Sequence, residues 1–178
     1  MRYFVTGATG FIGKRLVKKL LERKGSVVYF LVRQGSEGKV KGLREFWGAS
    51  AARVIPITGD LTSKKLGVSA EVIMQLKGQI DHFFHLAAIY DLGADEASQI
   101  VVNVEGTRNT IELARAIDAG HFHHVSSIAA AGLYEGVFRE DMFSEAENYE
   151  HPYFMTKHES EKIVRTECKL PWTVYRPA

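Results

Sequence analysis

Two apolar rhythms alternate along the chain. Arg2–Thr6 is a short β-branched and aromatic run, and the segment from Phe11 to Lys24 then carries Ile12, Leu16 and Leu20, with Val17 and Leu21, at helical spacing. That stripe suits a helix packed on a sheet, and Gly25 is expected to close it. Val27–Val32 is apolar throughout, as a parallel strand covered on both faces must be. Together these segments predict a βαβ unit. The alternation continues with a helix over Lys39–Trp47, a strand over Val54–Thr58, a helix over Ser69–Leu76 and a strand over His82–Leu86. A long helix over Asp95–Ile117, a strand over Phe122–Val125, a helix over Pro152–Cys168 and a strand over Trp172–Tyr175 complete the pattern, with Pro152 in the first helical turn. Six strands interleaved with helices predict an α/β fold built on a doubly wound parallel sheet.

Residues 136–150 form a polar connection without periodicity, a length that is uncommon unless the loop serves a site. Immediately after the sixth predicted strand the sequence reads Arg176-Pro177-Ala178. The expectation is one domain, residues 1–178, belonging to a longer chain whose C-terminal substrate-binding part lies beyond it.

Composition narrows the classes. With 178 residues, 46% hydrophobic and 25% charged, the chain can bury one sizeable core. Its 23 Lys and Arg against 21 Asp and Glu give a net charge of +2, scattered rather than clustered, which argues against nucleic acid as a partner. Lys18-Lys19 and Lys64-Lys65 read as solvated faces. The single cysteine, Cys168, cannot form an internal disulfide and reads as a small core residue, so a reducing, cytoplasmic setting is expected. No apolar run approaches the roughly 18 residues of a membrane span. No metal site is expected: His82 and His85 should face opposite sides of their strand, and His121 and His123 have no evident third ligand.

The chemistry begins at Thr6-Gly7-Ala8-Thr9-Gly10-Phe11-Ile12-Gly13, between the first predicted strand and helix. Three glycines there allow a tight turn, close approach of a pyrophosphate to the backbone, and packing of helix on sheet, while the helix N-terminus offers unpaired N–H groups. Later, Ser126-Ser127 falls at the carboxyl end of the fifth strand, where open α/β sheets place ligands, and Tyr153 and Lys157 lie one turn apart on one helix. A phenol in water loses its proton near pH 10. An ammonium about 4 Å away, at an effective dielectric near 20, favours the phenolate by roughly 4 kcal/mol, which brings the group into a catalytic range.

The spacing Gly7-x-x-Gly10-x-x-Gly13, followed in order by Ser127 and Tyr153-x-x-x-Lys157, resembles the extended short-chain dehydrogenase/reductase family, whose dinucleotide-binding domain has the Rossmann fold. The resemblance implies a catalytic set of Ser127, Tyr153 and Lys157, with Lys157 also donating to the nicotinamide ribose. It implies cofactor contacts from Gly7, Thr9, Gly10, Phe11, Ile12 and Gly13 in the turn, from Leu86, Ala87 and Ala88 after the fourth strand, and from Ser126 and Pro177. Asp60 and Leu61 would hold the adenine, although Asp60 also reads as a helix N-cap. Asn103 would support the lysine and its water. Arg33 ends the second strand where a carboxylate would receive the ribose of NAD, and a guanidinium there attracts a 2′-phosphate, so NADP(H) is the expected cofactor, with Lys14 or Arg15 able to share the work.

Within the family, Phe83-Phe84-His85-Leu86-Ala87-Ala88-Ile89-Tyr90-Asp91 and His124-Val125-Ser126-Ser127-Ile128-Ala129-Ala130-Ala131-Gly132 look like bacterial fatty acyl-CoA reductases and related thioester reductases. That resemblance implies an enzyme of lipid metabolism reducing a fatty acyl-CoA or fatty aldehyde, with no membrane span and with oligomeric state left open. The alternatives are a sugar-nucleotide epimerase or dehydratase, a ketone reductase, and a non-catalytic NADP(H)-binding module.

Overall fold

The structure, a computed structural model, describes residues 1–90, 93 and 95–178; Asp91 lies outside them. The elements run β1 (Arg2–Thr6), α1 (Phe11–Leu21), β2 (Val27–Val32), α2 (Glu37–Trp47), β3 (Val54–Thr58), α3 (Ala70–Leu76) and β4 (His82–His85). They continue with α4 (Glu96–Gln99), α5 (Gly106–Ala116), β5 (His121–Val125), α6 (Pro152–Glu167) and β6 (Trp172–Tyr175). All six strands are parallel, in the order β3-β2-β1-β4-β5-β6. The chain winds outward from β1 to β3, then crosses back to β4 and winds out the other way. A switch point therefore lies between β1 and β4, where a doubly wound sheet opens a crevice at its carboxyl edge.

Strand alternation splits the core in two. Tyr3, Val5, Val28, Phe30 and Val32 pack against Val17 and Leu21 of α1 and Val40, Leu43 and Trp47 of α2. Phe4, Phe83 and Phe122 point the other way, toward Leu76 of α3, Leu113 of α5 and Val164 of α6. The in-register parallel pairing of β1, β4 and β5 brings these three phenylalanines into a stack, with ring centroids 4.6 and 5.7 Å apart. Cys168, at the C-cap of α6, is buried in the same layer.

Several bounds differ from the sequence expectation by one or two residues, and three differences go further or touch the site. Helix α1 ends at Leu21, and residues 22–25 form a turn that closes with Gly25 at φ 74°, so the glycine terminates the turn rather than the helix. Strand β4 ends at His85, freeing Leu86 to leave the sheet. The helix expected over Asp95–Ile117 is broken by one π-helical segment, Ile100–Glu105, between α4 and α5. Such a segment closes its hydrogen bonds over one residue more than an α-helix does, and π-bulges cluster at functional sites.

Candidate active site

The glycine turn sits at the switch point and is fixed there by shape. Gly7 adopts φ 73°, and a Cβ on it would lie 2.7 Å from the Ala87 nitrogen. A Cβ on Gly13 would lie 2.1 Å from the Gly7 carbonyl oxygen, so only a bare backbone lets α1 seat on the turn. Gly10 is the N-cap of α1 and donates its N–H to the Gly7 carbonyl at 3.0 Å. No side chain caps this helix and no acidic residue lies in its first turn, while Thr9, Phe11 and Ile12 are exposed. The first N–H groups of α1 thus face outward with a partial positive charge, which suits an anionic pyrophosphate. The cradle fits a dinucleotide: the turn is held against Leu86–Ala87 on one side and is open on the other.

The flanking residues are disposed around that turn. Arg33 follows β2 and is exposed. Asp60 accepts the Thr62 N–H and hydroxyl, both at 2.8 Å. Those bonds, with a smaller contribution from the Arg33 charge, hold its carboxyl below the usual range. The carboxylate is thus used locally, in an Asx turn rather than at a helix N-cap. Leu61 is buried against Gly106 of α5, and Ala87 donates its N–H to the Thr6 hydroxyl. A cleft of about 780 Å³ lies at the carboxyl edge of the sheet, with Ile12, Leu86, Val125, Ile128 and Pro177 among its walls. Ser127, Tyr153 and Lys157 are not among them; Ile128 joins the two regions.

Helix α6 is docked onto the end of β5 through polar contacts. The Lys157 ammonium donates to the Val125 carbonyl at 3.0 Å, Ser126 donates to Glu161 at 2.8 Å, and the His158 ring meets the Ala130 carbonyl at 2.9 Å. Tyr153 is half-buried in the first turn of α6, where its N–H is capped by the His151 ring at 3.2 Å. Lys157 is buried, and burial pushes its pKa down to about 8, opposed by the Glu161 charge. Ser127 accepts the Ala129 N–H at 3.1 Å. A hydroxyl that accepts from the backbone in this way keeps its own proton for another oxygen.

Asn103 lies in the π-helical segment and is buried. Its amide takes the Ile89 N–H at 2.7 Å and gives to the Ile89 carbonyl at 2.9 Å and to Thr156 at 3.2 Å. It therefore ties the chain after β4 to the first turn of α6, beside Tyr153. Ser126, which the family resemblance puts at the cofactor, turns its hydroxyl inward to Glu161.

Sequence reasoning missed the buried groups beneath this surface. His85 bridges Thr6 at 2.8 Å and Thr107 at 3.1 Å, and burial lowers its pKa to about 3. His124 is buried with neither ring nitrogen partnered among the described residues, and burial followed by the Lys157 charge holds it neutral. On the opposite sheet face His82 meets His123 at 3.0 Å, and His123 meets the Tyr175 hydroxyl at 3.0 Å. Parallel register, invisible along one strand, makes these neighbours. Among the described residues no group of three or more His, Cys, Asp or Glu is arranged to hold a metal, and no helix is long and apolar enough to cross a membrane.

Sheet order, glycine turn and the Tyr153–Lys157 helix together define an extended short-chain dehydrogenase/reductase domain. Within that class, the chain belongs to the NAD-binding family described as male sterility protein, whose model matches residues 5–178. A component of the linear gramicidin synthase of Brevibacillus parabrevis is 33% identical over 187 residues, covering 97% of this chain and 4% of that protein. A Drosophila melanogaster protein named as a putative fatty acyl-CoA reductase is 24% identical, over 98% of this chain and 40% of its own length. Among solved structures, the terminal R domain of the myxalamid PKS-NRPS pathway superimposes with a TM-score of 0.82 at 29% identity, covering 99% of this chain and 48% of that one. The chain thus spans less than half of each of these three proteins. A UDP-glucuronic acid 4-epimerase from Bacillus cereus, in complex with NAD and UDP-glucuronic acid, shares the fold with a TM-score of 0.76 at 24% identity, over 99% of this chain and 56% of that one.

Proposed function

We propose that this domain binds NADPH and reduces an acyl thioester, of the fatty acyl-CoA type, to an aldehyde, with the aldehyde itself as a second substrate. The observation that carries the reading is the docking of α6 on β5, which brings the Tyr153 helix, the buried Lys157 ammonium and Ser127 to the carboxyl edge where the glycine turn opens. The relatives named for peptide-synthetase and fatty acyl-CoA reductase activity favour a thioester over a sugar. Bound NADPH would supply the hydride.

This chain's own residues do the rest. The α1 N-terminus and the backbone of Gly7–Gly13 hold the pyrophosphate, Arg33 pairs with the 2′-phosphate, and Leu86–Ala88, Asp60 and Leu61 flank the ribose and adenine. Ser127 donates its free hydroxyl proton to the substrate oxygen as negative charge builds there. Tyr153 gives its proton to that oxygen in aldehyde reduction; with a thioester the same proton neutralises the departing thiolate. Lys157, kept charged below about pH 8, holds the ribose and stabilises the phenolate left behind. The products balance as aldehyde, thiol and oxidised cofactor.

The test follows NADPH and NADH oxidation by the full-length gene product with a long-chain acyl-CoA, a fatty aldehyde and a UDP-sugar in parallel. NADPH consumption with the acyl-CoA is expected. Activity confined to the UDP-sugar would favour the epimerase or dehydratase reading that the shared fold allows, and NADPH binding without turnover on any carbonyl would favour a non-catalytic module.

A further inference from the structure

Glu161 is fully buried, one turn beyond Lys157 on α6, and no part of the proposed chemistry uses it. A buried carboxylate is costly unless its oxygens are saturated, and these are. Arg176, at the end of β6, forks onto both oxygens at 2.6 and 3.1 Å; Arg165 donates at 2.8 and 2.9 Å; Ser126 donates at 2.8 Å. Arg176 also donates to the carbonyls of Arg139 at 3.2 Å and Met142 at 2.8 Å, so the long connection before α6 hangs on the same cluster. Each anchor borders a residue of the candidate site: Ser126 precedes Ser127, Arg176 precedes Pro177, and Glu161 follows Lys157 by one turn.

We infer that Glu161 is the positioning residue of this active site, an anionic clamp that sets Ser127, Lys157 and Pro177 in one frame and keeps the Lys157 ammonium charged in its dry setting. The inference rests on the dinucleotide reading above but not on the identity of the substrate. Burial alone would raise the Glu161 pKa, yet Arg176, Ser126 and Arg165 together hold it below the usual value, so the clamp stays anionic. The other titratable groups acting on Lys157, His85 from β4 and His124 from β5, are both held neutral. Glu161 is thus the charge that opposes the loss of the lysine proton.

The test needs no substrate. Affinity for NADPH or NADH, whichever binds, is measured by nicotinamide fluorescence from about pH 6 to about pH 10 on the full-length protein and its variants. Glu161→Gln should weaken binding about tenfold and move the alkaline fall-off to lower pH by about one unit. Arg165→Met strips a counter-charge from the clamp at a partly exposed position, so it should move the fall-off to higher pH. A packing role alone would not give opposite signs. A folded Glu161→Gln protein with the wild-type fall-off overturns the inference. So does an Arg165→Met fall-off that stays put or moves down, and this variant decides the matter if Glu161→Gln does not fold. If a nucleotide binds but no thioester is reduced, the substrate reading fails and the clamp stands; if neither nucleotide binds, both fall.

Discussion

The two halves of the sheet solve opposite problems. Around β1, β2 and β3 the interior facing α1 and α2 is almost wholly apolar, and the turn at its edge works through backbone: three glycines, a left-handed residue and a helix end. Around β4, β5 and α6 the interior holds His85, Asn103, Thr107, His124, Ser126, Thr156, Lys157 and Glu161, all buried. The pyrophosphate of the proposed cofactor is thus met by shape, and the reacting end by charge. Changes in the glycine turn should act on binding through sterics, without regard to pH. Changes in the second half should act on turnover and on pH dependence.

Tyr153→Phe gives the largest effect that this contrast predicts: a loss of turnover of about a thousandfold with cofactor affinity kept, checked by calorimetric binding beside steady-state rates. Loss of binding instead would erase the division of labour. Gly13→Ala should do the converse, costing about 3 kcal/mol of stability through its clash with the Gly7 carbonyl and weakening cofactor binding equally at every pH; melting curves and titrations read both. Lys157→Met tests the cost of the buried charge. The Lys157 pKa is about 8 in the fold against 10.5 unperturbed, and each unit is worth about 1.4 kcal/mol. Between those values the unfolded chain binds the extra proton, so wild-type stability rises with pH across the window. The variant should therefore be more stable at neutral pH, by on the order of 3 kcal/mol less the lost Val125 bond, and lose that advantage toward pH 10.5. Melting temperatures that do not depend on pH in this comparison would mean that the lysine is not strained. The smallest effect belongs to Arg33→Ala, which should cut the preference for NADPH over NADH about tenfold and leave turnover with saturating cofactor unchanged; an unchanged ratio of Michaelis constants would remove Arg33 from the phosphate site.

The sheet was legible because β2, Val27–Val32, is the unbroken apolar run of a covered parallel strand, and the edge strands Val54–Thr58 and Trp172–Tyr175 also have the bounds expected of them. The glycine turn was legible because its residues act through what they lack. Glu161 and the buried histidines were not. Glu161 reads along its helix as an acidic residue one turn beyond Lys157, and only the approach of Arg176 from the end of another strand reveals a clamp. His82 and His123 are 41 positions apart and become neighbours only through register.

The π-helical segment between α4 and α5 is equally silent in the sequence, because periodicity over a long window averages one surplus residue away. The bulge absorbs that surplus, so α5 keeps the phase that an unbroken α-helix would give it. Inserting one further residue into 100–105 would exceed what the bulge takes up and turn α5 by about 100° about its axis, swinging Thr107 away from His85 and Gly106 away from Leu61, although no side chain of α5 had been altered. A lengthened helix of this kind would be a frame error in three dimensions, intolerant of insertion at a place where point changes to the exposed Val101 would pass unnoticed.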